Sequence, residues 1–251
     1  MKVSIITVCY NSEATIEETI RSVVEQNHPG IEYIVVDGKS TDKTLAIIEK
    51  YRNKISKLVS EKDNGIYFAL NKGLQLATGD IAGILHSDDF YTNSAVISRV
   101  VKEFETKNCD SVYGDLQYVS REDISKVTRH WKSDPFDAKR FLKGWMPPHP
   151  TFFVKRKFYA QFGLFNTVFS SAGDYELMLR FLYKHRITSS YIPEVLVKMR
   201  TGGVSNVSFS NRLKANREDR LAWTVNGLKP AAFTLTAKPF SKLKQFFKRG
   251  D

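Results

Sequence analysis

The sequence predicts an α/β fold, a single domain with a mostly parallel sheet flanked by helices and a more irregular second half. Three observations carry this expectation. Apolar runs of strand length alternate with amphipathic helical patterns through the first half, as they do in βα units. Acidic turns follow two of those strands, at Asp37 and at Asp88-Asp89. A chain of 251 residues with 42% hydrophobic content is long enough to bury one large core.

The first strand is the continuous apolar run 3–9. Ser12 suits the N-cap of the next helix, with Glu13 in its first turn and Ile16, Ile20, Val23 and Val24 on one face. Residues 31–36 form the second strand, which ends at Asp37. Leu45, Ile48 and Tyr51 mark a second helix and 55–59 a short third strand; Ile66, Leu70, Leu74 and Ala77 mark a third helix closed by Gly79. The fourth strand, 81–85, delivers Asp88-Asp89. Ile97, Val100, Val101 and Phe104 share a helical face, and 111–119 reads as a strand interrupted at Gly114-Asp115. Beyond Ser125 the alternation weakens. The aromatic stretch 136–145 and Pro147-Pro148-His149-Pro150 punctuate an irregular half that builds a pocket against the sheet. Residues 174–183 then read as helix, 189–197 as strand and 209–223 as helix.

Composition narrows the function classes. Cys9 and Cys109 stand far apart in apolar contexts without metal-ligand spacing, the pattern of reduced core residues in a cytosolic protein. The N-terminal apolar stretch stops at Asn11 and Glu13, so it reads as a strand and not as a leader. No run of about 18 or more apolar residues marks a membrane span. The net charge of +11 calls for acidic partners such as nucleotide phosphates, anionic lipid or nucleic acid. Much of that charge crowds the C-terminus, where Lys242, Lys244, Lys248 and Arg249 interleave with Phe240, Leu243, Phe246 and Phe247 at helical spacing. Either a helix lying on an anionic membrane surface or a terminal helix packed on the domain has this pattern.

Asp88-Asp89 points furthest toward chemistry. Adjacent carboxylates at a strand exit repel and raise each other's pKa unless a cation sits there or the turn is open to water. In open α/β sheets ligands bind beyond the carboxyl ends of the strands, and hard divalent cations take oxygen ligands. The alternative is a solvated turn in which Ser87 or Asp89 caps the helix beginning near Asn93. Asp37, expected on the same sheet edge, favours the cation site.

Several motifs together resemble the family-2 glycosyltransferases of the GT-A fold. They are 3–11 (Val3 through Tyr10-Asn11), 33–44 with Val36-Asp37-Gly38, Asn71-Lys72-Gly73, Ala77-Thr78-Gly79-Asp80, Ser87-Asp88-Asp89, and Ala172-Gly173-Asp174-Tyr175-Glu176. Each is modest alone, and their order and spacing make the match specific. The resemblance implies a GT-A-like domain over 1–230, with a nucleotide-sugar-binding half at 1–119, an acceptor half at 120–230 and a basic amphipathic tail at 231–251. It implies that Val8, Tyr10, Asp37, Asn64 and Asp88 contact the nucleotide, that Asp89 binds Mn or Mg beside the diphosphate, and that Asp174 is the catalytic base. Gly38 and Gly173 depart from the pattern, which usually has an acidic residue at each of these positions. Glu176 is the fallback base, and Asp174 alternatively caps a helix after Ser170-Ser171. Asp63-Asn64-Gly65 is either a donor contact or a tight turn. His149 and Trp145 are candidate acceptor or diphosphate contacts. Arg200 is a candidate phosphate contact, next to the loop Thr201-Gly202-Gly203-Val204-Ser205.

The activity so implied is metal-dependent, inverting transfer of one sugar from a nucleotide-sugar, UDP-linked by default, to an acceptor hydroxyl. A glycan or lipid-linked acceptor of surface polysaccharide synthesis fits a cytoplasmic chain whose tail lies on the inner face of the cell membrane. The Gln-x-x-Arg-Trp motif of processive relatives is absent. Two rivals remain: a sugar-phosphate nucleotidyltransferase, against which 8–12 contains no glycine, and a non-catalytic polyanion-binding protein. Nucleic acid is disfavoured because the strand exits carry acids.

Overall fold

The computed structural model describes residues 1–202, 209–231 and Thr234, with the backbone alone for 209–216. Its strands are β1 (Val3–Cys9), β2 (Ile31–Asp37), β3 (Lys57–Ser60), β4 (Ile81–Ile84), β5 (Asp89–Tyr91), β6 (Ser111–Val119), β7 (Val127–Trp131), β8 (Phe153–Lys155) and β9 (Ser189–Arg200). The α-helices are α1 (Ile16–Val24), α2 (Thr44–Glu49), α3 (Ile66–Leu76), α4 (Val96–Lys107), α5 (Lys157–Phe162), α6 (Gly173–Met178) and α7 (Phe209–Val225).

One sheet runs in the order β3-β2-β1-β4-β8-β6-β9-β5, with β7 paired to β6. The β3-β2-β1-β4 portion is parallel throughout, β1 pairing with β2 and β4 and β2 with β3. The second half joins through antiparallel β8 and returns to a parallel pair in β6 and β9. Ile5, Ile6, Ile34, Val35, Val36 and Ile81 are fully buried, which is why these strands read as continuous apolar runs instead of alternating ones. The parallel register places Cys9 beside Asp37 and brings the ends of β1, β2 and β4 to one edge.

Several local expectations change. α1 begins at Ile16 with Thr15 flanking it, and Ser12 accepts the Thr15 and Ile16 N–H groups through its carbonyl, not its side chain. α3 ends at Leu76, and Gly79 is not its cap. A Cβ at Gly79 would stand 2.7 Å from the Ser4 nitrogen, so close packing against β1 requires that glycine. Strand 111–119 is unbroken, and Gly114-Asp115 marks a register shift against β9. The helix expected over 174–183 is α-helical only to Met178 and then widens into a π turn over Leu179–Lys184. The basic tail over 235–251 and the Gly203–Ser205 part of the glycine loop lie outside the described residues.

At the opposite end of the sheet Glu32 ties the N-termini of the strands together. Its buried carboxylate accepts from the Ser4 hydroxyl at 2.6 Å and from the Thr78 N–H and hydroxyl at 2.7 Å, with Lys2 and Lys57 each at 3.3 Å. Burial alone would raise its pKa. The hydrogen bonds from Ser4, Thr78 and Lys2 outweigh burial and bring it from 4.5 down to about 2. A folded-state pKa below the unfolded one gives stability that is present above pH 4.5 and is lost as pH falls through about 2. Urea midpoints followed against pH are expected to fall through that window in the native chain. Glu32→Gln should start from a lower midpoint at neutral pH and lose this part of the acid dependence.

Candidate active site

The turn after β1 and the turn after β2 are stitched into one surface. Asn11, in the left-handed region at φ 48°, accepts from the Thr41 N–H at 2.9 Å and donates its own N–H to Ser40 at 2.9 Å. The Thr44 hydroxyl accepts the Ser12 N–H at 2.7 Å, and Glu13 accepts from Lys43 at 2.9 Å. Tyr10 stands 64% exposed on this rigid base. A Cβ on Gly38 would meet its ring at 3.4 Å, an ordinary contact, so the ring does not by itself require the glycine. Asp37 is fully buried beneath it. Its oxygens are taken by the Ser40 N–H and hydroxyl and by the Ser60 hydroxyl at 2.6 Å. The carboxylate therefore shapes the turn from a buried position. Val8 is a core side chain and can meet a ligand only through its backbone.

Asp88-Asp89 does not form the solvated helix cap. α4 starts at Val96 with Ala95 flanking it, and Asp89 opens strand β5, paired with Met199 of β9. The chain thus leaves β4 and crosses to the far end of the sheet. The crossing is tied down on both sides, by the Thr19 hydroxyl donating to the Asp89 carbonyl at 2.7 Å and by Arg200 donating to the Asp88 carbonyl at 2.8 Å. Ser87 pairs with Ser12 at 2.9 Å. Arg200 is 5% exposed, ion-paired with Glu18 and set over the Phe90 ring at 5.0 Å. It braces this turn instead of standing free for a phosphate.

Asp89 is 0% exposed, and neither carboxylate oxygen has a hydrogen-bond partner. Burial pushes its pKa well above the usual carboxylate range, Asp88 adds to that, and Arg200 opposes it. A buried charge without a donor is costly, and a divalent cation removes the cost with the oxygen ligand such ions prefer. Asp88 is half-buried beside it, with no hydrogen bond or ion pair to its carboxylate among the described residues. The residues therefore fit a Mn or Mg ion. Among the described residues no cluster of three or more His, Cys, Asp or Glu encloses an ion, so substrate oxygens and water would complete its shell.

Asp174 lies inside the first turn of α6 and does not cap it, since the flanking residue is Ala172. Its carboxylate is 3.1 Å from Nδ1 of His149, which is held between two prolines. The His149 ring meets His86 edge-on at 6.1 Å. Burial holds His86 below the usual imidazole range and His149 adds to this, while Asp88 and Asp174 pull the other way. His86 thus sits electrostatically between the two acidic groups, with burial disfavouring its protonated form. Tyr118 of β6 also feels both Asp89 and Asp174, although burial is the main reason its hydroxyl is raised. Glu176 is excluded as a base because Arg180 at 2.9 Å and Asn226 at 2.9 Å occupy it in the core.

The remaining candidates lie further out. Trp145 is half-buried against Tyr113 and Phe141 with Arg140 over its ring at 4.4 Å. Asn64 is exposed before α3 and lines a cleft of about 420 Å³ with Asp63, Phe68, Asn71, Lys72 and Thr167. His86, Tyr118, Tyr67 and Glu218 were not sequence candidates. Only His86, two residues before Asp88, carried a signal in its position.

The family model described as "Glycosyl transferase family 2" matches residues 4–186. The chain is 31% identical over 180 residues to the uncharacterized glycosyltransferase Rv1514c of Mycobacterium tuberculosis, covering 71% of this chain and 68% of that protein. Among solved structures it superposes on S. aureus TarS residues 1–349 in complex with UDP-GlcNAc. The TM-score is 0.71 at 21% identity, over 97% of this chain and 73% of that one. The mannosyltransferase PcManGT from Pyrobaculum calidifontis, in complex with GDP-Man and Mn2+, gives a TM-score of 0.65 at 21% identity, over 97% and 70%. The fold is the GT-A fold.

The orphaned carboxylate gives a direct stability test. In cation-free buffer at neutral pH, Asp89→Asn is expected to melt above the native chain, by about 2–4 °C for each kcal/mol relieved. Added Mn2+ should raise the native melting temperature and leave the variant unmoved. A variant that melts lower and still responds to Mn2+ would contradict the assignment.

Proposed function

The chain belongs to glycosyl transferase family 2, and from that premise we propose that it moves one sugar from a nucleotide-sugar to an acceptor hydroxyl with inversion, using Mn or Mg. The observation that carries this reading is the pairing of a buried, donorless Asp89 with an Asp174 held by His149 across the same site. UDP is the proposed nucleotide, supported by the UDP-GlcNAc complex of TarS. Manganese is supported by the GDP-Man and Mn2+ complex of PcManGT.

In this reading the half over 1–119 binds the donor and 120–230 the acceptor. Tyr10 offers an exposed ring for the nucleotide base, on a turn that Asp37 holds in shape. Asp89 would hold a divalent cation with Asp88 beside it, and such an ion, when bound, would supply Lewis-acid stabilisation for the charge developing on the leaving diphosphate. Asp174 takes the acceptor proton as the acceptor oxygen bonds to the anomeric carbon. The bond to the diphosphate oxygen breaks with its electrons leaving on the nucleoside diphosphate, and a single displacement inverts the centre. His149 keeps the Asp174 carboxylate oriented, and His86 meets the His149 ring edge-on. A glycan or lipid-linked acceptor, met at the inner face of the membrane through the basic tail, accounts for the net charge of +11. Among the described residues no helix is long and apolar enough to cross a membrane.

Nucleoside-diphosphate release measured across a panel of nucleotide-sugars and acceptors tests the reading. Asp174→Asn is expected to keep nucleotide-diphosphate binding while transfer falls by about 10²–10⁴-fold. An undiminished rate would remove Asp174 from the role of base.

A further inference from the structure

Gly173 precedes Asp174 where the family pattern usually carries an acidic side chain, and its backbone does not explain the glycine. It is not among the residues with positive φ. The reason is packing. A Cβ at this position would stand 2.6 Å from Cζ of Tyr67 and 2.8 Å from both of its Cε atoms. The Tyr67 ring therefore lies directly on the Gly173 backbone, in the space a side chain there would need.

The hydroxyl of the same tyrosine accepts the Gly173 N–H at 2.8 Å. That N–H opens α6, whose flanking Ala172 supplies no side-chain cap, and helix-initial N–H groups need an acceptor from somewhere. Its neighbours are satisfied from another direction: Glu218 of α7 accepts the N–H groups of Ser170, Ser171 and Ala172. Burial raises its pKa, but the Ser170 hydroxyl and those backbone donors outweigh this and leave it lowered, so it stays a charged acceptor. The segment entering Asp174 is thus fixed at consecutive backbone positions by Glu218 and Tyr67.

Tyr67 is itself rigid. It is buried, stacks on Phe165 with centroids 5.5 Å apart, and lies one turn before Asn71, which brackets the Phe165 backbone with bonds of 2.8 and 2.9 Å. It also sits in the first turn of α3, next to Gly65 at φ 125° and Asn64. Burial is the main reason its hydroxyl is raised, and the negative charge of Asp174 adds to this.

We propose that Tyr67 is the positioning residue for Asp174, its ring taking the place of a side chain at 173 and its hydroxyl fixing the first turn of α6. The inference rests on the reading of Asp174 as the base. A base displaced by about 1 Å loses on the order of 10²-fold in rate, so the ring and hydroxyl both matter to transfer.

The test uses the full chain. Tyr67→Phe keeps the ring and removes the acceptor. Its kcat is expected to fall at least about tenfold, with donor KM and nucleotide-diphosphate binding within about twofold of native. A purely structural role would lower the melting temperature and leave kcat of the folded protein alone. A stability cycle tests the packing: Gly173→Ala should lower the urea midpoint in the native background and leave it unmoved in a Tyr67→Ala background. Native kcat in Tyr67→Phe, or an additive cycle, overturns the proposal. Asp174→Asn run alongside separates the failures. If it is inactive while Tyr67→Phe is native, the Tyr67 role alone falls; if it transfers at the native rate, the base assignment falls and takes this inference with it.

Discussion

The Asp89 carboxylate is held out of water with no donor on either oxygen, and the backbone around it cannot swing outward to relieve it. Thr19 of α1 holds its carbonyl, Arg200 at the end of β9 holds the carbonyl before it, and Glu18 neutralises that arginine. The sheet order makes this possible, because the chain crosses at this turn from β4 to the edge strand β5. The two halves of the domain are thereby joined at a buried carboxyl group that has no hydrogen-bond donor. On the proposed reading a bound cation would relieve the burial of Asp89, so that cation binding and local stability would be linked.

Across the site the problem is orientation. Asp174 is partly open and needs a fixed direction, which His149 provides from a proline-bounded segment and which Glu218 and Tyr67 provide through the backbone. These supports come from the 149–151 turn, α7 and α3, so Asp174 is placed by elements that meet only in the folded chain. The same logic accounts for Glu176, which sits two residues from Asp174 and is consumed by Arg180 and Asn226 in the core.

Much of this architecture was legible in the sequence. The apolar runs of β1, β2 and β4 gave a parallel half, and parallel pairing alone puts Asp37 on the same edge as the Asp88-Asp89 turn. Periodicity also located α1, α3 and α4. What the sequence did not disclose was which polar groups would be used up internally. Asp37 reads as a ligand contact until Ser40 and Ser60 take its oxygens, and Arg200 reads as a free cation until Glu18 meets it from 182 residues away. Tyr67 fell on the buried face of a helix and carried no mark of its contact with Gly173, 106 residues on. Such partnerships are decided by tertiary proximity, which local pattern does not encode. Family resemblance located the acidic positions, and the structure distinguished Asp89, buried without a hydrogen-bond partner, and Asp174, met by His149, from carboxylates occupied in the core such as Glu176.

On the proposed reading the Asp88-Asp89 turn binds the diphosphate through a divalent cation. Isothermal titration calorimetry of UDP into the native chain, with Mn2+ and with chelator, reads this out. Saturable binding is expected with Mn2+ and should disappear when the ion is removed. Equal affinity in chelator would overturn the cation's role.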